Sequence, residues 1–212
     1  MNLLNLLTPQ TIYWILFAIP SILIASTVHE YAHAWAAMKL GDPTAKAAGR
    51  LTLNPLSHID PIGAISMLVF RFGWSKPVPI NEYNFERRER DTALVSLAGP
   101  VSNILLLLLA AGINILFKPD PSSWVYTLLT SFAMINGVLA VFNLIPIPPL
   151  DGHKIVRAII PKGKLRYYWE ALESYYYIPL ILLLLPIFPF GSVASVIIGK
   201  TLTKVMTLLG FF

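Results

Sequence analysis

Residues 29–33 read HEYAH, two histidines four positions apart with a carboxylate beside the first. On an α-helix positions i and i+4 share a face, so His29 and His33 can turn both imidazoles towards one tetrahedral metal. Glu30 is rotated by about 100° from that face, which suits it to take a proton from water beside the metal rather than to join as a ligand. In water the same spacing would also fit helix-surface histidines and a solvated charge, because the pattern fixes only three positions. The setting argues against that, since no charged side chain precedes Glu30. In lipid an unpartnered carboxylate near the bilayer centre costs roughly 2.5 kcal/mol or more. These groups therefore imply a partner, and zinc fits them.

A catalytic zinc takes three protein ligands and keeps a fourth position open, so one more ligand is expected and one Zn2+ per chain. The chain has no cysteine, which leaves nitrogen and oxygen donors. Asp151, His58 and His153 are the candidates. Asp151 is favoured because Pro146, Pro148 and Pro149 remove backbone donors just before it, leaving an irregular turn that lipid tolerates only inside protein or along a cavity. The competing use of Asp151 is to cap a helix over 152–160. His58, as an accessory residue, and His153 suit ordinary polar contacts as well as ligation. Of the asparagines in apolar runs, Asn103 and Asn143 offer amides to a developing oxyanion or, in Asn103, to a bound substrate. Interhelical hydrogen bonding competes with that use, as the stronger reading for Asn103 and an equal one for Asn143. A metal scaffold or zinc transporter would need no base beside its ligands, so Glu30 favours a hydrolase.

These residues have to be positioned by elements that composition places in a bilayer. The chain has 212 residues, 56% hydrophobic and 13% charged, with a mean hydropathy of +0.65, whereas soluble domains carry about 25% charge. The expected fold is an all-α polytopic membrane protein, a bundle of about 4–6 transmembrane segments forming a single domain over 1–212. Its core segments run over about 11–40, 92–117 and 124–145, with further segments over about 175–190 and 192–212. The last of these suits either a span or an interfacial position. From His33 to Leu40 is about 10 Å of helix, which sets the metal below one membrane surface but short of midplane. The apolar stretch 59–72 is too short for a span and reads as re-entrant or interfacial. Residues 49–55 and 76–81 read as extended and predict a small membrane-associated β element. Pro77 and Pro79 confine the second strand to an edge, leaving the backbone groups of Val78 and Ile80 to bind an incoming peptide, or simply guarding the edge against aggregation. Residues 153–173 form a basic amphipathic stretch, and the N-terminus lacks the Lys or Arg of a signal peptide, so it is expected to be retained.

The net charge of +5 and isoelectric point near 9.5 do not point to nucleic acid, because the basic residues sit in loops beside apolar segments. Thirteen of the sixteen Lys and Arg lie between the first and second core segments or just after the third. By the positive-inside rule those loops are cytoplasmic, the N-terminus is outside, and the candidate site opens to the cytoplasm.

Five blocks, HEYAH at 29–33, GRLTLNPLSHIDPIG at 49–63, KPVPIN at 76–81, AGPVSN at 98–103 and FNLIPIPPLDG at 142–152, span most of the chain. Through them the chain resembles the site-2 protease family of intramembrane zinc metalloproteases. The resemblance implies His29, His33 and Asp151 as zinc ligands, Glu30 as catalytic acid and base, and Asn143 as a transition-state donor. It also implies a three-segment catalytic core and regulated intramembrane proteolysis of membrane-protein substrates with transmembrane helices, in a prokaryotic plasma membrane. The six-residue connection from Lys118 to Ser123 cannot hold the PDZ domain that some members carry there, and no C-terminal nucleotide-sensing domain is expected. A compact member is expected, selecting substrates through its membrane core, its extended segments or another protein.

Overall fold

The computed structural model describes residues 8–70, 73–185 and 191–211. Its helices are α1 (Pro9–Lys39), α2 (Thr44–Ala47), α3 (Pro61–Phe70), α4 (Arg88–Phe117), α5 (Trp124–Asn143), α6 (Asp151–Ile159), α7 (Lys164–Ser174), α8 (Tyr177–Leu184) and α9 (Val193–Leu208). Among the described residues three helices are long and apolar enough to cross a membrane: Ile15–Lys39 of α1, then α4 and α5. They correspond to the three expected core segments. α4 begins a turn early because the Asp91 carboxylate accepts the backbone N–H of Arg87 at 2.9 Å and closes a charged first turn.

Two expectations are not confirmed among the described residues. The further segments appear as α8, of 8 residues, and α9, of 16, both below the roughly 20 needed to span; residues 186–190 and 212 lie outside the described set. There is also no sheet; Ile59 and Ser75 form an isolated antiparallel bridge. The physical reason is that the 75–81 segment spends its backbone groups on side chains. Arg50 donates to the carbonyls of Lys76 and Pro77, Val78 donates to Glu30, and Asn81 donates to Asp42. Pro77 and Pro79 have no N–H to offer. The alternation around Leu51 and Leu53 therefore finds no partner strand.

α4 lies between α1 and α5, which also touch each other. His29 meets Asn103 and His33 meets Val95, so α1 and α4 run antiparallel. Small residues allow the close approach: Ala25, Ala34 and Ala37 of α1, Ala110 and Ala111 of α4, and Ala133 and Ala140 of α5 are all buried. Polarity is turned inward. Asn103, Asn136, Ser96, His29, Glu30 and His33 are buried while Leu105, Leu109 and Leu116 are exposed, the distribution expected when the solvent is lipid. The chain is an integral membrane protein. α6 packs on α4, α9 on α5, and α8 on α9.

Candidate active site

His29 and His33 stand one turn apart on α1, and their Nε2 atoms are 3.0 Å from each other. Asp151 completes a triangle, with Oδ2 at 3.3 Å from His29 Nε2 and 3.2 Å from His33 Nε2. Ligand atoms bound at about 2.0–2.1 Å to a tetrahedral ion are separated by about 3.3 Å, so the donor set has the dimensions of a zinc site.

The hydrogen-bond partners behind the rings fix what those atoms offer. His33 Nδ1 faces the carbonyl of Val95 at 2.7 Å, an acceptor only, so Nδ1 carries the proton. His29 Nδ1 faces Asn103 Oδ1 at 2.6 Å. The Asn103 amide nitrogen already donates to the carbonyl of Ala25 at 3.1 Å and to Asn136 Oδ1 at 2.9 Å, so its oxygen accepts from His29. Both imidazoles thus present an Nε2 lone pair to the Asp151 carboxylate. Three lone-pair donors pressed together repel one another until a cation sits among them, so the residues fit zinc.

Glycine shapes the site at two places. A Cβ on Gly99 would stand 2.4 Å from His33 Nε2 and 2.6 Å from His29 Nε2, so α4 can pass the two rings only without a side chain there. A Cβ on Gly152 would stand 2.3 Å from the carbonyl oxygen of Leu144 and 2.6 Å from that of Ile145. That close approach folds the proline-rich turn back under α5 and delivers Asp151. Asp151 is the first residue of α6 rather than its cap, a place taken by Leu150, so its carboxylate is left for the histidines.

Glu30 is buried beside the pair and is covered by the extended segment. Its Oε1 accepts the Ser75 hydroxyl at 2.5 Å and its Oε2 accepts the Val78 N–H at 3.3 Å.

The model for peptidase family M50 matches residues 110–186. Over 183 residues the chain is 39% identical to YwhC of Bacillus subtilis (strain 168), described as a candidate zinc metalloprotease, across 83% of this chain and 82% of that protein. The chain belongs to peptidase family M50, the site-2 protease family. It is also 30% identical over 203 residues to Rip2 of Mycolicibacterium smegmatis, again described as a candidate zinc metalloprotease, across 86% of this chain and 77% of that one. No solved structure matches it significantly. As a member of M50 the chain is a zinc metalloprotease with zinc as its cofactor.

The remaining expected site residues of this M50 protease lie around the cluster or apart from it. Asn143 directs its amide to the Leu139 carbonyl of its own helix at 3.0 Å. Asn103 makes the interhelical bonds expected of it, and one of them orients His29. Val78 has its N–H on Glu30, and Ile80 packs against Ala36, Ala37, Phe85 and Val95. His58 is buried with Nε2 at 2.8 Å from the Thr52 carbonyl, and His153 stacks on Trp169 with Nε2 at 3.0 Å from Glu173. Neither joins the triangle. Sequence reasoning assigned no role to Ser75, Asn136 or Gly99; the Gly-Pro break for Gly99 and an amide inside an apolar run for Asn136 were signals, and for Ser75 there was none.

Proposed function

We propose that this chain hydrolyses peptide bonds in or near the transmembrane helices of membrane-protein substrates, as in regulated intramembrane proteolysis. One observation carries the reading: three donors with free lone pairs converge at 3.0–3.3 Å, with the Glu30 carboxylate beside them and the whole cluster on helices of a membrane bundle. In it His29, His33 and Asp151 hold one zinc per chain. Zinc bound there supplies Lewis acidity, polarising a peptide carbonyl and lowering the pKa of water from 15.7 towards roughly 7. Glu30 takes the proton of the attacking water and returns it to the leaving amine. Asn143 turns its amide from Leu139 to the oxyanion as it develops.

A helical substrate has its carbonyls engaged, so it must first unwind locally. The 76–81 edge receives it, with the backbone of Val78 and Ile80 as pairing groups, and the incoming strand supplies the partner that the β element lacks. Glu30 exchanges its bond to Val78 for the attacking water as this happens. Residues 1–212 act as one domain, the α8 and α9 region completes a bundle of about 4–6 segments, and the basic loops set the N-terminus outside with the site facing the cytoplasm of a prokaryotic plasma membrane.

Purified protein is expected to hold about one zinc per chain. Glu30→Gln should keep that zinc and lose cleavage of a membrane substrate, because an amide cannot accept the proton. Wild-type cleavage by this variant would end the mechanism, and zinc retained by Asp151→Ala but lost from His58→Ala would end the ligand assignment.

A further inference from the structure

For a helix on a protein surface α7 is built inside out. The side it turns towards α4 and α6 is the charged one. Arg166 is buried, donating to Glu89 at 2.5 Å, to Glu170 at 2.6 Å and to the carbonyl of Arg157. Glu173 lies 3.0 Å from His153 and 3.4 Å from Arg157. Trp169 stacks on His153 and donates its indole N–H to the His153 carbonyl at 3.2 Å. The outer side carries Leu165, 63% exposed, Tyr168, 66%, and Leu172, 40%, and Tyr175 extends the row at 57%. The spacing of three and four residues puts them on one stripe.

Two independent features say what covers that stripe. The first is height. α4 has 30 residues, about 45 Å at 1.5 Å per residue against a hydrocarbon core of about 30 Å, so one end of it must project into the headgroup layer. The charged turn Arg88–Asp91 is that end, and Arg166 is bonded to Glu89 within it. The second is continuity, because α8 follows directly with Ile178, Ile181 and Leu182 exposed, extending the apolar surface away from α7. Exposed Lys162 and Lys164 lie at the start of the helix.

We propose that α7 is an in-plane interfacial helix that seats Leu165, Tyr168, Leu172 and Tyr175 at the boundary of headgroups and acyl chains, with Lys162 and Lys164 among anionic headgroups. By holding His153 and Arg157 it braces α6, and α6 begins with Asp151. The brace rests on the reading of Asp151 as a ligand; the membrane seat does not. Amphipathic helices with aromatic and aliphatic residues on one face and lysines at their border bind bilayers in this way.

The chain has no cysteine, so single spin labels can be put at Tyr168→Cys, Leu172→Cys and, as an aqueous reference, Asp120→Cys in zinc-loaded protein. The samples are vesicles of phosphatidylcholine with and without phosphatidylglycerol. Labels at 168 and 172 should collide more with oxygen than with a water-soluble nickel chelate, with the reverse at 120, and should sit deeper when phosphatidylglycerol is present. Lys162→Gln with Lys164→Gln should abolish that lipid dependence. Labels at 168 and 172 open to the nickel chelate would overturn the proposal. So would labels shielded from both reagents, which would mean that a second copy or a substrate covers the stripe. Depth that ignores phosphatidylglycerol would overturn the headgroup contact. For the brace, Leu165→Ser, Tyr168→Ser and Leu172→Ser together should lose zinc to a chelator about tenfold more readily in vesicles, and an unchanged loss would overturn it. The depth measurement does not read zinc occupancy, so failure of the zinc assignment and failure of the membrane seat are separable.

Discussion

Gly99→Ala tests the site with a single methyl group. The new carbon would stand 2.4 Å from His33 Nε2 and 2.6 Å from Cε1 and Nε2 of His29, where ordinary contact begins at 3.4 Å. The rings must therefore retreat by up to about 1 Å, more than a packed interior yields without strain. They are not free to do so, because His29 is tied at 2.6 Å to Asn103 and His33 at 2.7 Å to the carbonyl of Val95, both in buried surroundings. Breaking one such bond costs about 1–3 kcal/mol, which is a roughly 5- to 150-fold loss of zinc affinity if the cost falls on the bound geometry. Competition with a fluorescent chelator measures that affinity on purified protein, and far-UV circular dichroism checks that the helices persist. Gly112→Ala is the matched control. It lies on the same helix with nothing within 4 Å of its built Cβ, so it should bind zinc normally and gain up to about 1 kcal/mol of helix propensity. If Gly99→Ala binds zinc as well as Gly112→Ala, the metal does not sit between His29 and His33.

Asn103→Ala removes the acceptor that keeps the proton on His29 Nδ1 and should weaken zinc binding by about 10- to 100-fold without removing a ligand; unchanged affinity would deny that role. Asp42 is buried, which raises its carboxyl, but bonds from Thr44, Asn84 and Asn81 outweigh burial and hold it below its ordinary value of 3.8. The stability it contributes is therefore complete above pH 3.8 and is lost as pH falls below that towards the lowered folded value. The gap in melting temperature between wild type and Asp42→Asn should narrow across that window, and a gap independent of pH would refute this. A cysteine at Asp120 should react with an impermeant reagent added outside intact cells, whereas one at Arg88 should not, and the reverse result inverts the orientation.

The zinc-ligand candidates were legible because their geometry is local. Helical periodicity alone puts His29 and His33 on one face and turns Glu30 aside. Asp151 was legible for a different reason, since a proline-blocked turn in lipid has to be buried against something. The contacts of Ser75 were not legible, because a hydroxyl bonded to a carboxylate 45 residues away depends on how the loop is pinned by Arg50 and Asp42. The β element failed on the same ground. An alternating pattern states that a strand has two faces but supplies no partner, and here side chains had taken the backbone groups first.

The basic amphipathic stretch at 153–173 shows where pattern reading stops in a membrane protein. Periodicity establishes that one face of a helix is charged and the other apolar, and in water that is enough to orient it, because the apolar face goes inward. Lipid removes the rule, since an apolar face can be satisfied by the solvent while a charged face is stabilised only by partners inside the protein. α7 follows the second course. Arg166 and Glu173 are held by Glu89, Arg157 and His153, residues 77, 16 and 20 positions away in the chain. Those pairings arise only once the N-terminus of α4 meets α6, so the orientation of α7 is a property of the tertiary fold. For the same reason a substitution on its outer stripe acts first on the contact with lipid, and reaches Asp151 only through the helix that the inner face holds.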